Sequence, residues 1–282
     1  MIDNLYHKKS GFSLKPLFIA LLTVVLTVSA CQFRQPDLQL EWDSSPKAQL
    51  ILVQNPILFP GILSTYQDER AQNYIPEGTL YGDGRILWVE YIYENDIVSR
   101  RVMEGNLTPT DIPVLLQQFL DSGFFTWKDT YGSTIRNDGP PNESIYVYLD
   151  TLTKGVIVNS DPPQGFEGLM KLVSTGAGAR GQDYLPDQGY LSVYPQYFDE
   201  PPNLQVPQWP ATEASFTLKD LYGDGGIENG IYVDGQVLAF VWQIINSYPR
   251  SPLVEDSGEV YMLTLRIPNL SVHQPPDPQK AP

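Results

Sequence analysis

The side chains with which this chain could do chemistry are scarce in every class but one. It has one cysteine, Cys31, and two histidines, His7 and His273. A zinc site of the usual Cys/His kind lacks the material. No HExxH, GxSxG or phosphate-binding loop is present either, so the familiar nucleophilic and metal-dependent hydrolases lose their signatures. Carboxylates are plentiful, with 33 Asp and Glu against 18 Lys and Arg. A pair of them could run glycoside hydrolysis, but that geometry is set in space and singles out no residue in a sequence. Asp220, Asp224 and Glu228 lie four apart in a glycine-rich stretch and could offer oxygens to calcium. They lack the spacing of a calcium loop, and a solvated turn is the simpler account. Gly176-Ala177-Gly178-Ala179-Arg180-Gly181 fits a dinucleotide-binding pattern by letter. That mechanism needs a strand before the glycines and a helix after them, whereas here a helix precedes and Pro186 follows. The pattern reads as a flexible helix-ending linker. No catalytic residue, metal ligand or cofactor site is assigned.

The elements that would position any site follow from periodicity. Leu50 to Val53 form a short strand-like run. Tyr81-Gly82-Asp83-Gly84 is a turn opening a strand from Arg85 to Tyr93. Ile86, Trp88 and Ile92 would face one side and Leu87, Val89, Tyr91 and Tyr93 the other, which marks a strand covered on both faces. Thr108 caps a helix with Pro109 at its first position and Asp111 three residues after the cap; Ile112, Leu115, Leu116, Phe119 and Leu120 follow at helical spacing, and Gly123 ends it. Strands are expected over 144–150 and 154–159, and a helix over 162–175 carrying Phe166, Leu169, Met170 and Val173. A helix capped by Asp234, with Val237, Leu238, Val241, Ile244 and Ile245 on one face, precedes a strand over 259–267. The fold class expected is α+β: an antiparallel sheet with helices packed on it, a ββαββα-like main domain and a smaller C-terminal α/β segment.

The main domain spans 48–178 and the second α+β segment 212–270. Between them, 179–211 is rich in Gly, Pro and Tyr and reads as a linker. Tyr184, Tyr190, Tyr194, Tyr197 and Trp209 lie in it; such rings stack on sugars when exposed, and more often pack the loop onto its domain. The stretch 271–282 reads as a disordered tail. Leu-Tyr-Gly-Asp-Gly occurs at 80–84 and again at 221–225, a repeat that common turn chemistry explains as well as duplication does. The hairpin followed by a capped helix is similar to bacterial envelope proteins of uncharacterised activity, a likeness that implies no reaction.

Lys8, Lys9 and Lys15 precede an uncharged apolar run from Leu17 to Val28. A bilayer core of roughly 30 Å needs about 20 apolar helical residues, so this run fits a signal-peptide core rather than a membrane span. Small residues follow, ending Val28-Ser29-Ala30-Cys31. That ending resembles the lipobox of bacterial lipoproteins. The resemblance covers residues 1–31 and implies removal of a signal peptide, 1–30, with lipidation of Cys31 by diacylglycerol and acylation of the new amino group by a chain such as palmitate. Residues 31–47 would then be a tether, and the protein would sit outside the cytoplasm, anchored to the cell membrane or outer membrane.

The net charge is −15. Loss of the leader removes three lysines and one aspartate, which leaves about −17, a field that repels phosphate backbones and excludes nucleic acid as a partner. With one cysteine there is no disulfide, and the fold must rest on apolar packing. These observations point to a non-enzymatic lipid-anchored envelope protein that binds a protein or glycan. The rival is a carboxylate-dependent polysaccharide hydrolase of the envelope.

Overall fold

The turn at Tyr81–Gly84 is the hinge on which the first sheet is built. Gly84 adopts φ +94°, and its N–H donates to the carbonyl of Tyr81 at 3.0 Å. Asp83 Oδ1 accepts from the N–H of Arg85 at 3.0 Å. Gly82 is needed for a different reason: a Cβ there would lie 1.8 Å from the carbonyl oxygen of Asp43. The structure, a computed structural model, describes residues 38–55, 73–94, 97–132, 142–196, 206–222, 230–249 and 251–277. Cys31, the leader, Tyr197, Asp224 and Glu228 lie outside the described residues.

Among the described residues there are 12 strands in two sheets and 5 helices, a mixed α/β content dominated by strand. The first half contains β1 (Gln49–Gln54), β2 (Gly78–Tyr81), β3 (Arg85–Glu94), β4 (Ile97–Asn106), α1 (Asp111–Asp121), β5 (Thr130–Tyr131), β6 (Glu143–Tyr148), β7 (Thr153–Val158) and α2 (Phe166–Ser174). The second contains β8 (Gln182–Asp183), β9 (Gln188–Gln196), α3 (Ala211–Ala214), α4 (Leu218–Leu221), β10 (Ile231–Asp234), α5 (Gly235–Ser247), β11 (Leu253–Asp256) and β12 (Glu259–Arg266). The large sheet runs β5-β7-β6-β1-β2-β3-β4-β8, antiparallel except for the parallel β5–β7 pair. The small sheet runs β10-β9-β12-β11 and is antiparallel throughout. Residues 40–282 form one compact unit.

β3 is buried on both faces over Ile86–Val89, as its sequence requires, but not to its end: Tyr93, expected on a covered face, is exposed. Leu87, Val89 and Val102 join a core that includes Leu238, Val241 and Ile245 of α5 and Leu191, Leu263 and Leu265 of the small sheet. On the opposite face Trp88 lies against Gly176 and Gly181, and Val173 of α2 lies against Gly78. The helices form where periodicity places them. The cap of α1 is Thr110 rather than Thr108 and makes no side-chain capping bond; Asp111 Oδ2 instead accepts from the N–H and hydroxyl of Thr108, at 2.9 and 2.5 Å. α2 starts at Phe166, later than expected, because Gly165 holds φ +94°. Asp234 occupies the cap position of α5, but its side chain makes no capping hydrogen bond.

Several expectations are corrected. The stretch 179–211 is not simply a linker: β9, within it, is one of the two interior strands of the small sheet. Tyr190, Tyr194 and Trp209 are buried, and Tyr184 meets Trp242 edge-on at 6.0 Å, so these rings pack the core. Residues 271–277 are held down rather than loose, with Ser271 buried and the Tyr232 hydroxyl donating to the carbonyl of Pro276. The two Leu-Tyr pairs differ in setting: Leu80 and Tyr81 end a strand, whereas Leu221 ends the short helix α4.

Asn73 completes the open edge of β12. β11 pairs with β12 only as far as Met262, which leaves the next stretch of β12 open on that side. There the buried Asn73 amide donates to the carbonyl of Leu263 at 3.0 Å and accepts from the N–H of Leu265 at 2.7 Å, so one side chain stands in for a strand. Asn73→Ala leaves a buried carbonyl and a buried N–H without partners. We expect a loss of about 2–4 kcal/mol in chemical denaturation; a loss under about 0.5 kcal/mol would show that the amide bridge is dispensable.

Candidate functional site

The site arises because β2 is short. Gly78 pairs with Val53 of β1 on one side and Trp88 of β3 on the other. Beyond Gly78, β1 continues to Gln54 and β3 to Glu94 with no β2 residue paired between them. The large sheet therefore forks. The fork opens into a cleft of about 750 Å³ lined by Asn55 after β1, Glu77 before β2, and Trp88 to Tyr91 of β3. Glu143, at the start of β6, adds a further wall. α2 closes the top with Glu167, Met170, Lys171 and Ser174, positions whose spacing puts them on one helical face.

Glu77 stands at the fork and is 2 % exposed. The Tyr91 hydroxyl donates to its Oε1 at 3.3 Å. Asn55 links the two sides: its N–H donates to the Tyr74 hydroxyl at 3.0 Å and its Nδ2 donates to Glu143 Oε1 at 2.9 Å. Trp88 Nε1 donates to Glu90 Oε1 at 3.3 Å. Arg100, opposite Tyr91 on β4, is 3 % exposed and donates through Nε to Asn246 Oδ1 of α5 at 2.6 Å. Asn246 in turn donates to the Trp242 carbonyl at 2.8 Å. A polar chain thus runs from the cleft floor into the seam between the large sheet and α5.

Burial dominates the electrostatics of this chain of groups. It pushes the Glu77 carboxyl up to about 8, against the hydrogen bond from Tyr91, the Arg100 charge and the hydrogen bond from Tyr74, which all pull it down. Burial likewise lowers Arg100, opposed by its electrostatic interactions with Tyr91, Glu77 and Tyr74. Glu143 is raised by burial first and by the nearby Glu167 carboxylate second, with the Asn55 hydrogen bond acting the other way. A cleft that holds several carboxyl groups, two of them raised, can take a cation or a ligand rich in hydrogen-bond donors. It also resembles the setting in which a carboxylic acid keeps its proton near neutrality.

The residues weighed from sequence are not gathered here. Asp220 serves α4, its Oδ2 accepting from the N–H and hydroxyl of Thr217 at 2.9 and 2.7 Å. The glycine pattern makes room for a ring: a Cβ on Gly176 or Gly181 would lie 2.9 or 2.4 Å from Trp88. That is packing, and it fixes Trp88 and Ala179 at the cleft. Sequence reasoning missed Glu77, Asn55, Glu143 and Glu167, which come from four separate stretches with no shared motif. Among the described residues no helix is long and apolar enough to cross a membrane. No family model matches the chain, and neither the curated proteins nor the solved structures contain a match.

The raised Glu77 gives a pH signature. Its folded value, about 8, lies above its ordinary value of 4.5. The stability contributed by the protonated form is complete below 4.5 and is lost as pH rises to 8. Wild type should therefore lose stability relative to Glu77→Gln across that window, by at most about 1.4 kcal/mol per pH unit. Urea denaturation at a series of pH values checks this, and parallel curves for the two proteins would mean that Glu77 is ionised throughout.

Proposed function

We propose that this protein is a lipid-anchored envelope protein of the extracytoplasmic side, moored through Cys31, whose cleft binds a glycan or protein group without chemical turnover. The observation that carries the binding part is the fork in the large sheet. It makes a cavity of ligand size with an aromatic and carboxylate lining out of β3, β6, α2 and the residues that flank β1 and β2. The support for the anchor is the Lys-flanked apolar run and the Val28-Ser29-Ala30-Cys31 ending. Two or three acyl chains at about 0.8 kcal/mol per buried methylene hold such a protein firmly. In this reading the ββαββα-like layer carries the cleft, and the C-terminal α/β segment buttresses it through α5.

One observation favours the hydrolase reading: Glu77, on the cleft, keeps its proton near neutrality as a general acid would, and Glu143 lines the same cleft. Against it, Tyr91, Tyr74 and Arg100 all surround Glu77 with donor or positive character. Those groups assist the ionised form, the reverse of what a proton donor needs.

Two measurements test the proposal. Mass spectrometry of the membrane-extracted mature chain should find a diacylglyceryl-modified, N-terminal Cys31, and an unmodified Cys31 behind an intact leader would remove the anchor. The full chain should be retained by an envelope glycan or protein in pull-down, with retention weakened about tenfold or more by Glu143→Lys, which reverses a charge on the cleft wall. Release of reducing ends from a polysaccharide, abolished in Glu77→Gln, would replace binding with hydrolysis.

A further inference from the structure

Two acceptor atoms on the cleft floor lack a donor. Glu77 Oε2 and Asn55 Oδ1 are both buried and have no hydrogen-bond partner among the described residues. Both residues line the cleft, and a buried acceptor without a donor carries the cost of its lost hydration. The surrounding charge has the same sense. Glu77, Glu90, Glu143 and Glu167 line the cavity, and Lys171 is the one basic side chain among its lining residues.

These carboxylates do not converge on a point: no group of three or more acidic, His or Cys side chains among the described residues is close enough to hold a metal ion. Acceptors spread over a cavity of this size suit an extended organic cation with several donors. The helix wall adds partners for hydroxyl groups. Thr175 and Ser174 donate to the carbonyl of Lys171 at 2.8 and 3.3 Å, which leaves their oxygen lone pairs to accept from a ligand.

Resting on the binding reading above, we infer that the cleft takes an amino sugar, a hydroxylated ring whose unsubstituted primary ammonium donates to Glu77 Oε2 and Asn55 Oδ1. An ammonium has three donors and no acceptor, which is what this floor lacks. The ring hydroxyls meet Ser174, Thr175 and the outer carboxylates. Proton bookkeeping follows from the geometry. In the empty cleft burial keeps the proton on Glu77; the arriving positive charge favours the carboxylate, so that proton passes to the buffer while the ammonium keeps all three of its own.

Isothermal titration of the full chain near neutral pH, in two buffers of different ionisation heat, tests this. The probes are glucosamine tetramer, N-acetylglucosamine tetramer, a neutral glucose tetramer and a lysine-containing peptide. The expected result is at least tenfold tighter binding of the glucosamine tetramer than of the other three, with net proton release. Glu77→Gln should abolish the proton release and weaken binding about tenfold. Ser174→Lys, on the partly exposed helix face, should weaken it by a similar factor while leaving the thermal melt unchanged, which covers the case in which the Glu77 variant fails to fold. Equal binding of the amino, acetylated and neutral sugars overturns the ammonium inference and leaves the cleft as a glycan site. Binding of the lysine peptide alone overturns the sugar. No binding of any probe, together with no partner in pull-down, overturns both this inference and the binding reading.

Discussion

The structure depends on how it buries Arg100. β4 runs ten residues through the interior of the large sheet, and at its midpoint places a guanidinium on the face that packs against α5. Moving such a charge out of water costs several kcal/mol unless it is surrounded by acceptors. Asn246 of the helix accepts a hydrogen bond from the Arg100 Nε, while Tyr91 across the β3–β4 ladder and Glu77 at the fork act on it electrostatically. Glu77 is itself buried, and burial favours its neutral form, so near neutral pH it acts on the guanidinium without a full opposite charge; Tyr74 and Tyr91 act on both groups. The apolar core around Leu87, Val89 and Val241 holds the layers together without specifying where they sit. One directional bond at 2.6 Å, from Arg100 to Asn246, ties β4 to α5, and the Asn246 amide is oriented by its 2.8 Å bond to the Trp242 carbonyl within the helix.

That constraint also explains why the cleft lies where it does. If β2 began earlier, another residue would pair between β1 and β3 and seal the sheet. Instead the backbone leaves the ladder at Gly78, the carbonyl of Glu77 accepts once more from Val89 at 3.2 Å, and the side chain of Glu77 is delivered to the seam. The gap left in the sheet is the cavity. One truncated strand therefore serves both the burial of Arg100 and the opening of the cleft, and the groups at the cleft floor are electrostatically joined to the groups that dock α5.

How much of this the sequence discloses depends on whether the signal is local. β1, β3, β6, β7 and β12, and the three longer helices, are visible because their apolar residues recur at a period of two or 3.6. β4 is obscured by Arg100 and Arg101, which break the alternation; the first is buried by tertiary partners and the second faces Asp183 at 2.7 Å on the exposed edge. β9 is obscured by Gly189 and Pro195, residues that ordinarily argue against an interior strand. Gly189 is required because a Cβ there would lie 2.7 Å from Leu265. Pro195 is tolerated because β10 pairs with β9 only from Gln188 to Leu191, so at Pro195 the strand has β12 on one side and no β10 residue on the other. The cleft has no local signal: Glu77, Glu90, Glu143 and Glu167 are ordinary surface-type residues in the sequence, and only the fork makes neighbours of them.

Trp88 decides how firmly the cleft wall is held. Its ring occupies the space that side chains at positions 176 and 181 would fill, and its Nε1 reaches Glu90 on the same strand. Gly176 holds φ +80° as the backbone leaves α2, a conformation costly for a residue with a Cβ. Strand β3 and the end of α2 are thus clamped by one ring between two glycines, while Val173 against Gly78 clamps the last turn of the helix to β2. Two contacts of this kind at the C-terminal end of the helix hold that end in place, and with it Lys171 and Ser174 over the fork. A six-residue pattern that fits a dinucleotide-binding motif by letter is, in this fold, the means by which the end of a helix is registered against a strand to make a wall.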